Sequence, residues 1–262
     1  MKCDVPLIMN YKNAKRRFIR LLGLLSTVLL LTAILAGCYR SYSDEEQSYT
    51  DKLWYENYGN YQAIYNLPFN RGVADGTLAA SKFRNYIIQD YFYLQNYKKA
   101  FETLLPKAPD ERGRQFIVAE IQGIDEEIKT VHMTYFKKYN ITNEEILNSV
   151  PNPTTEEYNS YLIKTATGEP FQVGLIATLP CNWIYFRVAT DMKKKEQVES
   201  NPYQEWIDAY GSTPWDDSDT KEFVDLIEYY MENADEQIRV KMKQAFNTAF
   251  GYEYLFWDTV YK

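Results

Sequence analysis

The chain has 262 residues, 36 acidic side chains against 29 basic ones, and a formal net charge of −7 at pH 7. An acidic balance of that size argues against a nucleic-acid partner and against adhesion to anionic lipid. Only three cysteines and one histidine are present, which leaves little material for a disulfide framework or a histidine-built metal or haem site.

In chain order, residues 1–20 carry Lys2, Lys12, Lys15, Arg16, Arg17 and Arg20 against Asp4, and residues 21–39 carry no charge. A basic segment followed by an apolar one is the pattern of an export signal. Its end, Leu35-Ala36-Gly37-Cys38, resembles a bacterial lipobox, so Cys38 is the expected lipidation site and the protein is expected to be exported and membrane-anchored. The rival readings are a retained spanning helix and a cytoplasmic protein. Residues 39–50 are polar and read as a tether; residues 51–262 suit one domain.

Apolar positions in that domain recur at helical spacing, with no sustained two-residue alternation. Helices are expected near 50–66, 79–104, 110–139, 154–167, 171–196, 202–210, 217–231 and 234–260, with breaks at Asp75-Gly76, Pro106 to Pro109, Pro151 to Pro153, Pro202 and Pro214. The expected class is all-α, a single compact helix bundle.

Two acids interrupt apolar stripes. Asp90 falls within Phe83, Ile87, Leu94, Tyr97 and Phe101, flanked by Tyr86 and Tyr93, and Glu253 falls within Met242, Phe246, Ala249, Phe256 and Val260. Each reads either as a stripe-edge residue reaching solvent or as part of an internal polar site. A third face, Phe171, Gly174, Thr178, Cys181, Tyr185 and Val188, carries small residues that could leave a cavity. Pro180 is expected to break this helix, putting Cys181 in the first turn of a restarted segment, where free N–H groups favour the thiolate. The alternative is a small buried hydrophobe. Tyr158, Tyr203 and Tyr210 add phenols, although most of the 24 tyrosines must be structural. A thiol, two carboxylates and aromatic rings would suit a flat, nitrogen-containing ligand and covalent acid–base chemistry. His132 reads as a hydrogen-bonded histidine on an amphipathic helix. No triad motif or phosphate-binding glycine loop is present.

Several segments resemble the TenA or thiaminase II family. They are Pro68-Phe69, Ala74-Asp75-Gly76-Thr77-Leu78, Phe83, the run from Tyr86 to Leu94, the run from Leu179 to Tyr185, the run from Tyr203 to Tyr210, and the run from Tyr252 to Trp257. The resemblance implies the haem-oxygenase-like helical fold and a thiaminase II-like aminopyrimidine aminohydrolase. Such an enzyme cleaves the bond between an aminopyrimidine and its CH2 substituent, in 4-amino-5-aminomethyl-2-methylpyrimidine and in thiamine. It further implies that Cys181 is the nucleophile, Glu253 the acid/base residue and Asp90 the carboxylate gripping the amino-pyrimidine edge. Tyr93, Tyr158, Tyr185 and Tyr210 would hydrogen-bond or orient ring and thiol, and Phe256 would pack the pocket. No cofactor or metal is implied, and the family is often tetrameric. The runner-up is a non-catalytic surface lipoprotein that binds thiamine or pyrimidine for uptake.

Overall fold

The computed structural model describes residues 47–195 and 198–262. The export signal 1–38, the Cys38 lipidation site and tether residues 39–46 lie outside the described residues. Tyr49 and Thr50, counted above as tether, belong to the domain. Their amides donate to the Glu228 carboxylate at 2.8 and 2.7 Å and begin the first helix.

Among the described residues the structure is helical, with no strand. The helices are α1 (Tyr49–Tyr65), α2 (Pro68–Ala74), α3 (Ala80–Leu104), α4 (Glu111–Glu127), α5 (Met133–Lys138) and α6 (Asn143–Asn148). They continue as α7 (Pro153–Gly168), α8 (Phe171–Lys194), α9 (Gln204–Gly211), α10 (Asp219–Glu232) and α11 (Glu236–Tyr261). Short polar side chains start most of them: Ser48, Asp110, Thr142, Asn152, Ser218 and Asp235 each accept an amide from the first turn. These caps satisfy donors that a helix start leaves free. Helices α2 and α6 fall where none was expected. At seven and six residues they are too short to show an apolar period.

Helix α8 runs through the middle of the bundle, with α3, α7, α9, α10 and α11 packed around it. Most of its side chains are therefore buried. Gly174 makes one of these approaches possible: a Cβ there would lie 2.6 Å from Leu104 Cδ2 and 3.2 Å from Ala166 Cα. The small-residue face is thus filled at Gly174, and the opening lies further along, at Cys181.

Two expectations fail for local reasons. Helix α8 does not break at Pro180, which sits inside it. The proline withholds a donor from Ile176 O alone, and the carbonyls on either side are tied to hydroxyls: Thr178 Oγ1 donates to Leu175 O at 2.7 Å, and Tyr97 donates to Thr178 O at 2.9 Å. Pro180 is also buried by surrounding helices, and tertiary packing outweighs its local cost. Second, the helix expected over 110–139 is not uniform. Between α4 and α5 lies a π-helical turn, Ile128–His132, in which the Met133 amide reaches back five residues to Ile128 O.

No described helix is long and apolar enough to cross a membrane.

Candidate active site

Helices α3, α4, α8 and α9, with the 3-10 turn Trp215–Asp217 and the start of α10, enclose a cavity of about 470 Å3. That volume lies within the roughly 300–1,000 Å3 typical of small-molecule sites. Of the residues singled out from sequence, Asp90, Cys181, Tyr185 and Tyr210 line it. Glu253, Tyr93, Tyr158 and Phe256 do not reach its wall. They form a buried layer in which the Tyr93 ring packs against Tyr158 and Phe256, with centroids 4.9 and 5.8 Å apart.

Asp90 is 2% exposed, so the stripe-edge reading fails for it. Such a burial demands partners. Tyr185 donates to Oδ1 at 3.0 Å, His132 Nε2 lies 3.0 Å from Oδ2, and Tyr86 donates to Oδ2 at 3.4 Å. His132 is fully buried. Burial, the largest single influence, pushes its proton affinity down. The hydrogen bond and charge of Asp90, with the charge of Glu127, outweigh that and leave it raised. His132 is hydrogen-bonded as expected, but it belongs to the site.

The π turn explains that placement. Glu127 and His132 are five residues apart, which would put them on different faces of an α-helix. The wider turn brings both toward Asp90, and ligand atoms of all three lie within 4.8 Å of one another. These are the described residues that could surround a metal ion, but the imidazole bonds directly to the carboxylate. Glu127 also accepts from the Tyr210 hydroxyl. Burial and the nearby Asp90 raise Glu127, against the opposing effects of His132 and Tyr210.

Glu253 is 1% exposed. Tyr158 donates to its Oε1 at 2.8 Å, while Oε2 has no hydrogen-bond partner. Burial pushes the Glu253 carboxyl up to about 8, a rise that the Tyr158 bond reduces and the Asp90 charge increases. Near neutral pH this carboxyl holds its proton.

Cys181 is 8% exposed and free. Because α8 continues through Pro180, Cys181 is mid-helix and gains no help from a helix start. Burial and then the Glu253 charge push the thiol well above its ordinary range, with the Tyr93 hydroxyl opposing. The expected thiolate is corrected: the group rests as a thiol.

Tyr203 is structural. Its hydroxyl donates to Leu78 O and its ring packs on Phe83, centroids 4.7 Å apart. Sequence reasoning missed Glu120 and Glu127 as cavity residues. Both sit on an amphipathic helix rich in charge, and nothing local marks them as facing inward.

Residues 56–262 match the TENA/THI-4/PQQC family. The chain is 31% identical over 196 residues to the aminopyrimidine aminohydrolase of Bacillus subtilis, covering 74% of this chain and 82% of that protein. It is 32% identical over 217 residues to the aminopyrimidine aminohydrolase of Helicobacter pylori, covering 78% and 96%. Among solved structures, a TenA homologue from Pyrococcus furiosus superimposes with a TM-score of 0.73 at 21% identity, covering 80% of this chain and 98% of that one. A TenA family transcription regulator from Silicibacter gives 0.74 at 19%, covering 83% and 99%. These two likenesses support the all-α, haem-oxygenase-like fold.

Proposed function

The chain belongs to the TENA/THI-4/PQQC family, and from that membership and the cavity we propose that it is an aminopyrimidine aminohydrolase acting in thiamine salvage. The observation that carries the mechanism is a buried thiol on the cavity wall with, in the layer behind it, a buried carboxyl whose proton affinity is raised to about 8 and whose charge acts on the thiol. A general acid works best with a pKa near the working pH. Glu253 fits that requirement through burial.

In this reading Asp90 accepts from the exocyclic amine of the pyrimidine. Its orientation is held by Tyr185 and His132, so little reorganisation is needed when the ring arrives. Tyr185 and Tyr210 flank the ring from the cavity wall. Cys181 sulfur forms a bond to a ring carbon as its proton passes to water, and a ring nitrogen takes the proton that Glu253 releases. Loss of aromaticity lets the C5 methylene expel ammonia from its ammonium form, or the thiazole when thiamine is the substrate. Water then adds to the methylene and gives up one proton, the sulfur–carbon bond breaks as the sulfur regains a proton from water, and the ring returns its proton to Glu253. Each step uses the thiol, the carboxyl and water.

The test is to incubate the purified protein with 4-amino-5-aminomethyl-2-methylpyrimidine and follow the hydroxymethyl product and ammonia. Product formation that Cys181→Ser abolishes supports the mechanism. Product at the native rate from Cys181→Ser removes the covalent step. Tight binding of the pyrimidine with no turnover would establish the binding-lipoprotein reading instead.

The proposal extends to location and assembly. Residues 1–38 export the chain and Cys38 carries the lipid, so the enzyme works outside the cytoplasm, where the pyrimidine it releases can be imported. Unlipidated protein in a cytosolic fraction would overturn this. A homotetramer is the proposed assembly, to be measured by light scattering.

A further inference from the structure

One turn beyond Glu253 on α11 stands Trp257, which is fully buried. An i, i+4 pair shares a helix face, and a helical side chain leans back over the preceding turn, so the indole lies toward Glu253. The rings of Tyr86, Tyr185 and Phe69 clamp it, with centroids 5.6, 4.7 and 5.5 Å away. A buried indole N–H normally finds an acceptor, as Trp206 does in the Tyr86 hydroxyl at 3.1 Å. Among the described residues Trp257 Nε1 has no such partner, and neither has Glu253 Oε2. Two buried orphans, one a donor and one an acceptor, therefore share one face of one helix. The indole is near enough to oppose the rise of the Glu253 carboxyl.

An orphan of this kind costs stability, so its persistence calls for a reason. The titratable groups facing Glu253 are Tyr158 from α7, Asp90, Tyr93 and Tyr97 from α3, and Cys181 and Tyr185 from α8. All are acids, so none offers a positive charge to the anion left when the proton departs. Tyr158 already donates to one oxygen, and the indole N–H is the donor beside the other. A hydrogen bond to an ionised acceptor is about twice as strong as one between neutral groups. The contact therefore gains most as the proton leaves, and an interaction that strengthens on the way to the transition state speeds the step.

We propose that Trp257 is a positioning residue for the acid step, its N–H held idle beside Glu253 until it donates to the carboxylate that forms. The proton moves from Glu253 to the ring nitrogen of the substrate, and the indole keeps its own. The inference rests on the hydrolase reading for the reaction and on the two orphaned atoms for the contact.

Two changes remove the N–H: Trp257→Phe, and a benzothiophene side chain at position 257, which keeps the ring volume with sulfur in place of nitrogen. The readout is the pH midpoint of the protonated Glu253 carboxyl in the full-length protein. Infrared difference titration follows it, and its absence in Glu253→Gln assigns it. Loss of the donor should raise the midpoint by about one unit in the benzothiophene protein. Trp257→Phe should raise it less, because the space it opens loosens the burial. Looser packing alone works in the opposite direction, since burial is the main cause of the raised value. Phe69→Leu, which loosens the same clamp and keeps the N–H, should lower Tm and leave the midpoint level or lower.

In turnover, the alkaline limb of kcat/KM should move up with the midpoint, while the plateau falls by about threefold, as for a proton half transferred. The benzothiophene enzyme should then be the faster one above about pH 9. If no pyrimidine is turned over, the hydrolase reading fails, and the infrared midpoint still decides whether the indole steadies the carboxylate. A midpoint that stays or falls in the benzothiophene protein, or a limb that does not follow it, overturns the proposal.

Discussion

The hydroxyl of Tyr158 is bonded to one oxygen of Glu253 at 2.8 Å, while the other oxygen makes no close hydrogen bond, the indole of Trp257 lying only near enough to oppose the rise of the carboxyl. One oxygen is anchored and the other is left to carry the proton. Burial keeps it there, up to a pH of about 8.

A stability effect follows with a definite sign. The folded state holds the Glu253 proton to about pH 8, whereas an unfolded chain releases it near the ordinary glutamate value of about 4.3. Between those values the folded state binds more protons, so its stability falls as pH rises. His132, raised in the folded state, adds to the same trend, since its contribution is complete below its unfolded value and is lost on passing the folded one. Glu253→Gln should therefore be more stable than the parent at pH 8, by on the order of a few kcal/mol, with little difference at pH 4.5. Denaturant melts at the two pH values check this.

The same substitution should remove catalysis. With Glu253 as general acid, kcat/KM should decline above about pH 8. Glu253→Gln should lose about 10^2- to 10^4-fold in rate and the alkaline limb with it. A variant that keeps an unchanged limb would assign that limb to another group.

Cys181→Ser should lose on the order of 10^3-fold or more in kcat while leaving the fold intact. Its Tm should lie within a few degrees of the parent, because the site borders open cavity. Mass spectrometry of the parent stopped early in turnover should find the pyrimidine on Cys181. Absence of an adduct together with full activity in the serine variant would exclude covalent catalysis.

His132 orients Asp90 and touches no substrate in this reading. His132→Gln should raise KM for the aminopyrimidine by about tenfold, the equivalent of roughly 1.5 kcal/mol for a charge-assisted hydrogen bond, and lower kcat less. His132→Asn, too short to reach Asp90, should be worse than the glutamine variant. A purely structural role would instead lower the amount of folded enzyme and leave KM alone.

Gly174→Ala should cost about 1–3 kcal/mol of stability, because the new Cβ would crowd Leu104 and Ala166. Thermal melting should show a drop of a few degrees, with activity per folded molecule retained. It separates packing of α8 from its chemistry.

Long amphipathic helices such as α3 and α11 were legible because many periods repeat. The two acids were legible for the same reason: an intruder is visible only against a regular stripe. Pro180 misled, since its local cost is real and only packing by five other helices shows that it is absorbed. The state of Cys181 followed from that error. His132 was read correctly as hydrogen-bonded but not as part of the site, because its partner Asp90 lies 42 residues away. Glu120 and Glu127 were invisible as site residues, for facing a cavity is a property of the assembled helices.

The wide turn at Ile128–His132 has an implication for how this site tolerates changes in chain length. A π turn is, in register, an α-helix with one extra residue. Deleting a single position between Lys129 and Val131 would let the helix close into regular α geometry. Glu127 and His132 would then stand four residues apart, on one face of that regular helix, and both would still be directed toward Asp90. Such a deletion would be mild for folding and for substrate grip alike. An added residue here would instead carry His132 off that face, so in this segment lengthening is a sharper probe than shortening.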